Sequence, residues 1–152
     1  MERLPVATAA LEFHPDHYCI GPAPDDIIFH YTVAAGMFEG PGIHLKIVAN
    51  GGQEWDTMRA DGVMAFESRH VLRTPSDDLV YATFSGMYDV GEDGYLDALD
   101  DALRLSAPAE LAIRFYTSAK EYRWLNRVQC FGHGLRDFAA DKLRLHIFRS
   151  DT

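Results

Sequence analysis

At 152 residues the chain has the length of one domain, and its 47% hydrophobic and 24% charged content is that of a soluble globular protein rather than a disordered or membrane-embedded one. Acids outnumber Lys plus Arg by 23 to 14, a net charge of −9, so the phosphate-neutralising surface that nucleic-acid binding needs is missing. Cys19 and Cys130 alone make no disulfide framework. The N-terminus has no basic segment followed by an apolar run and cleavage site, and no stretch reaches the ~18 apolar residues of a membrane helix. A cytoplasmic protein with neither nucleic acid nor membrane as a partner is expected.

In chain order, short β-branched and aromatic runs predict strands over Val6 to Phe13, Ile27 to Phe38, Ile43 to Ala49, Val63 to Thr74, Leu79 to Met87, Leu111 to Thr117, Trp124 to His133 and Lys142 to Arg149. Glu39-Gly40-Pro41-Gly42, Asn50-Gly51-Gly52 and Thr74-Pro75-Ser76-Asp77-Asp78 read as tight turns between them. One stretch differs. From Gly94 to Leu105, Leu96, Leu99 and Leu103 recur at helical spacing, with Asp93 as the N-cap. About eight antiparallel strands and one short helix predict an all-β fold, a single antiparallel β-barrel, because an open sheet of this size leaves long unpaired edges. In Val63 to Arg73, one face carries Glu67, Arg69 and Arg73 and the other Met64, Phe66, Ser68, His70 and Leu72. Alternation alone leaves open which of them looks inward.

No nucleophile elbow, phosphate loop or dinucleotide fingerprint is present. Neither Ser68 nor Cys130 stands beside an obvious base in the sequence, which argues against a nucleophile. His14-Pro15-Asp16-His17 has two imidazoles at close spacing but no third ligand at a recognisable offset, so no metal is expected. Two segments carry more chemistry: Gly51 to Gly62, with Trp55, Arg59 and Asp61, and Tyr122-Arg123-Trp124-Leu125-Asn126, where strand alternation puts phenol, indole and carboxamide on one face. The same residues equally suit structural duties, with Trp124 plugging the barrel, Asn126 satisfying backbone and Arg59 pairing with Asp61.

These segments, with Gly36-Met37-Phe38-Glu39-Gly40-Pro41 before them and Arg114-Phe115-Tyr116-Thr117 between, resemble the family catalogued as domain of unknown function 3237. Its members carry G-x-F-x-G-P, G-G-x-D-W, R-x-D-G, A-R-Y, R-F-E-T and Y-x-W-L-N in this order, and the resemblance spans about residues 27 to 149. It implies a calycin-like or allene-oxide-cyclase-like barrel that self-associates and needs no cofactor, and it implies little about reaction. Glu54 stands where the family has Asp, Tyr116 where it has Glu, and Ser68-Arg69-His70 where it has A-R-Y.

The expected function is a cofactor-free isomerase, cyclase or lyase acting on a small, largely apolar oxygenated molecule in the barrel lumen. Asp61 or Glu67 would move a proton, and Arg69, Tyr122 or Asn126 would hold the developing oxyanion. Arg59 would orient Asp61 or a substrate carboxylate, while Trp55, Phe115, Tyr116 and Trp124 line the pocket. A lipocalin-like carrier of the same ligand is the alternative. A homodimer is the expected assembly, and a third reading makes the chain a subunit whose basic strands meet the acidic 89–101 segment of a neighbour.

Overall fold

The computed structural model describes residues 2–150. Nine strands run β1 (Arg3–Phe13), β2 (Tyr18–Ile20), β3 (Ile27–Gly40), β4 (Ile43–Met58), β5 (Val63–Arg73), β6 (Leu79–Asp89), β7 (Ser106–Thr117), β8 (Cys130–Asp137) and β9 (Lys142–Ser150). Each pairs antiparallel with its neighbour in the order β1-β9-β8-β7-β6-β5-β4-β3-β2, and β1 also pairs with β3, from Thr8↔Glu39 to Phe13↔Val33. That last pairing closes eight strands into a barrel and leaves no long open edge. β2 is a short flap on the part of β3, Ile28 to His30, that β1 does not reach.

The interior follows from the period of two. Leu11 and Phe13, Phe29 and Tyr31, Leu45, Phe66, Phe84, Ile113, Leu143 and Leu145 all point inward and are buried. On β5 the inward set is Met64, Phe66, Ser68, His70 and Leu72, which puts Glu67, Arg69 and Arg73 on the outer wall. One end of the barrel is covered by the segment between β1 and β3 and by the connection after β6, which contains the helix α1 (Gly94–Leu99). The other end is plugged by a 3₁₀ segment, Lys120–Arg127, that buries Tyr122 and Leu125.

Three local expectations are corrected. Asn50-Gly51-Gly52 does not reverse the chain: β4 runs through it as a bulge, so that Ile47↔Leu72 is followed by Gly52↔His70, with Val48 to Gly51 opposite Val71 alone. Asn50 takes the left-handed conformation there, at φ 58°, where its side chain tolerates a positive φ. The helix spans only Gly94–Leu99, and Asp93 makes no side-chain cap. Trp124 to His133 is not one strand, since the polar run through Arg127 turns as 3₁₀ helix and β8 begins at Cys130. The alternation drawn through Tyr122, Trp124 and Asn126 therefore does not hold.

A buried carboxyl pair as the candidate functional site

Carrying β4 through its bulge places Glu54, Asp56 and Met58 on the inward face, alternating with Trp55 and Thr57 outside. Across the ladders Glu54 stands opposite Tyr31 and Ser68, and Asp56 opposite Phe29 and Phe66. Two carboxyl groups thus enter the apolar lumen side by side, at 1% and 0% exposure. Tyr88, from the last inward position of β6, donates its phenol hydrogen to Glu54 Oε1 at 2.9 Å. Glu54 Oε2 and both Asp56 oxygens bond no other described residue, and the two carboxyls stand within reach of a hydrogen bond to each other.

The cation of the cluster is Arg136, wholly buried on β8. Its guanidinium carbon lies 3.9 Å from the centre of the Phe13 ring, 4.5 Å from Phe138 and 5.1 Å from Tyr31, an aromatic cradle that fixes its plane. Nη1 donates to the backbone oxygens of Asp137 and Lys142 at 3.2 and 3.5 Å, whereas Nε and Nη2 have no partner.

Charge in so dry a place is costly, and the proton affinities record it. Burial raises the Asp56 carboxyl well above the usual range, and the neighbouring Glu54 raises it further. Burial raises Glu54 as well, opposed chiefly by Arg136. The Tyr31 and Tyr88 phenols are pushed up for the same first reason. Burial and Glu54 thus favour the neutral acid form of Asp56, with the guanidinium offsetting what negative charge the pair carries.

His17 ties the two parts of the cover together over this cluster. His17 stacks on Tyr31 with ring centroids 4.8 Å apart, and its Nε2 lies 2.8 Å from Asp101 Oδ1 just beyond α1. Deeper in the wall, Ser68 Oγ lies 2.9 Å from His70 Nε2, so Ser68 has the basic neighbour that its sequence surroundings do not reveal. Burial lowers the His70 pKa to about 4, which keeps the imidazole neutral. The ring fits because residue 52 is glycine; a Cβ there would come 2.3 Å from Nδ1.

The residues singled out in the sequence fall in other places. Asp61 and Arg59 pair with each other in the exposed β4–β5 turn, and Arg59 lowers the Asp61 pKa. Trp55, Glu67 and Arg69 do meet, but outside, in an open cleft of about 740 Å³ shared with Gln53 and Tyr81. Phe115 is core, edge-on to Phe38. Tyr116 and Trp124 are exposed at 67% and 36%. Tyr122 is buried at the plugged end, where its hydroxyl accepts from His44 N–H and donates to His44 O. Asn126 bonds both backbone groups of Thr117 at 2.8 Å. Arg69, Tyr122 and Asn126 therefore share no cavity, for one faces outward and the others close the opposite end of the barrel. Glu54, Asp56, Tyr88 and Arg136 are the set that sequence reasoning missed; the signal for the first two is the E-x-D-x-M alternation, hidden behind Gly51-Gly52.

Among the described residues, no group of three or more His, Cys, Asp or Glu side chains is placed to hold a metal ion, and no helix is long and apolar enough to cross a membrane. No curated protein matches the sequence. Among solved structures, the fold is similar to a conserved protein of unknown function from Rhodopseudomonas palustris, at 19% identity and a TM-score of 0.82 over 97% of this chain and 96% of that one. A β-barrel-like protein from Acinetobacter baumannii AYE matches at 18% identity and 0.79, over 97% and 94%. A protein described as an enzyme, from Penicillium herquei, matches at 19% and 0.70, over 97% and 92%. At these identities the likeness is one of fold. The model of the family described as protein of unknown function DUF3237 matches residues 2–149, and the chain belongs to that family.

Proposed function

We propose that the protein is a cofactor-free enzyme of the isomerase, cyclase or lyase kind, and that Glu54, Asp56, Tyr88 and Arg136 move protons on a small, largely apolar oxygenated molecule. The observation that carries this reading is the pair of carboxyl groups buried two residues apart on one strand, where burial favours the acid form of Asp56. Two carboxyls whose surroundings push their proton affinities apart supply an acid and a base at the same pH. Glu54, with Tyr88 on one oxygen and Asp56 beside it, takes a proton from carbon or hydroxyl. Asp56 delivers one to the developing enolate or alkoxide, and the Arg136 charge stabilises it in a medium where water does not screen. Passage to the cluster requires the cover to part at His17 and Asp101. A carrier of the same ligand has no use for an acid and a base buried together, and the fold likeness to a protein described as an enzyme agrees with the catalytic reading.

The test is deuterium uptake from heavy water at the α-carbon of 2,4-pentanedione and 1,2-cyclohexanedione, followed by NMR. Exchange above the uncatalysed rate in the wild type should fall at least ~100-fold, the usual share of a general acid or base, in Glu54→Gln and Asp56→Asn. It should persist in Arg69→Ala and Asp61→Asn on the outer wall. Equal exchange in all four variants would refute the assignment.

A further inference from the structure

The geometry points to Arg136 as an anion anchor: the lumen site takes a substrate that carries a small planar carboxylate, seated on the Nε–Nη2 edge of the guanidinium. This deepens the reading above and rests on it for the location of the substrate.

The argument begins with which nitrogens are committed. Nη1 is engaged by two backbone oxygens, and Nε and Nη2 are buried without a partner. Those two nitrogens lie on one side of the guanidinium, and their N–H bonds run parallel at the spacing of a carboxylate's two oxygens. A buried donor left unmade is costly, and here two stand on the same edge. The nearby acids do not take it: among the described residues no ion pair joins Arg136 to Glu54 or Asp56. Phe13, Tyr31 and Phe138 pack about the group and hold the edge in place.

The titratable groups coupled to Arg136 are Glu54 and Asp56 from β4, Tyr31 from β3 and Tyr88 from β6. Burial disfavours charge on all four, and Glu54, the base of the reading above, makes no ion pair with the guanidinium, so the Nε–Nη2 edge stays open to a ligand carboxylate. Glu54 can then accept a hydroxyl or enol hydrogen, and Asp56 can give its acid hydrogen to a keto oxygen, on the ligand's other side. A hydroxy or keto acid with a flat apolar body matches both halves of the cluster.

The experiment is calorimetric titration of the intact protein with benzoate and with benzamide, its neutral isostere. Benzoate should bind saturably and benzamide at least tenfold more weakly. Arg136→Lys, which keeps the charge but loses the fork, should cost benzoate about tenfold or more, while Arg69→Ala on the outer wall retains it. Equal affinity for benzoate and benzamide, no saturable binding of either, or a folded Arg136→Lys that binds benzoate as the wild type does would overturn the proposal. Since the benzoate–benzamide comparison is made on the wild type, it decides even if the lysine variant fails to fold. Arg136-dependent binding without α-carbon exchange would sink the catalytic reading and leave the anchor standing. Exchange that depends on Asp56 without carboxylate preference would do the reverse.

Discussion

Replacing Arg136 with Met should convert a buried charge network into a pH-dependent liability. The thioether chain keeps most of the stem volume and can still lie against Phe13, Tyr31 and Phe138, recovering roughly 0.3–1.5 kcal/mol of sulfur–aromatic contact per ring at most. What is lost is the main opposing charge to Glu54, at 1% exposure, and to its fully buried neighbour Asp56. Breaking a buried charge network from one side costs about 3–5 kcal/mol, and at roughly 2–4 °C per kcal/mol for a domain of this size the Tm should fall by ~6–20 °C. The sign with pH follows from Glu54. Without the guanidinium its folded-state pKa rises further above the unfolded value, so the stability tied to its proton is present at low pH and lost as pH climbs. The variant should therefore suffer more at pH 8 than at pH 5. Glu54→Gln keeps the acceptor for Tyr88 and removes the charge, so the double variant should regain at least half of the loss at pH 8. Thermal and urea denaturation by circular dichroism at both pH values measures this. A loss equal at pH 5 and pH 8, with no recovery in the double variant, would show that Arg136 acts by packing alone.

Asp56→Asn should flatten the pH dependence: the wild type's Asp56 contribution is complete below the unfolded carboxyl pKa of about 3.9 and fades as pH rises through the raised folded value, so urea midpoints should favour the variant at pH 8 and converge near pH 4. Gly52→Ala puts a methyl against His70 Nδ1 and Val33 Cβ, at 2.3 and 2.8 Å before relaxation. Such overpacking costs about 1–3 kcal/mol, and a smaller residue at His70 should relieve it in a double-variant thermal melt. Tyr122→Phe removes both hydrogen bonds to His44 and should cost about 1–2 kcal/mol without altering benzoate affinity, since it lies at the far end of the barrel. His17→Ala frees the cover from Asp101 and should speed hydrogen exchange at the β1–β3 connection while leaving β6 and β7 protected.

The carboxyl pair was legible in part. Glu54 occupies the acidic position of a family motif, but reading Asn50-Gly51-Gly52 as a turn ended the strand before the alternation of Glu54, Asp56 and Met58 began. Local chemistry favours a turn there; the ladder to β5, intact on either side of the bulge, overrides it. Arg136 was not legible at all. Nothing beside it in the sequence marks it as buried, and an arginine in a basic C-terminal third reads as surface. The Arg59–Asp61 pair and the backbone role of Asn126 were legible as the structural alternative to a site, and that is where the two stand.

Periodicity and turn chemistry by themselves determined the strand content, the antiparallel pairing and the closed barrel, because each is a local rule repeated along the chain. Which face of β5 looks inward, and which charged residues meet, were decided only in three dimensions. Alternation yields two faces of equal standing, and the choice between them falls to the apolar set that must leave water, Met64, Phe66 and Leu72 on one side against Glu67, Arg69 and Arg73 on the other. Once that face is buried, closure carries Glu54, Asp56, Tyr88 and Arg136 into one dry enclosure from three strands far apart in the chain. The few cations of the first half that lie near one another in the sequence, Arg59, Arg69 and Arg73, remain in solvent.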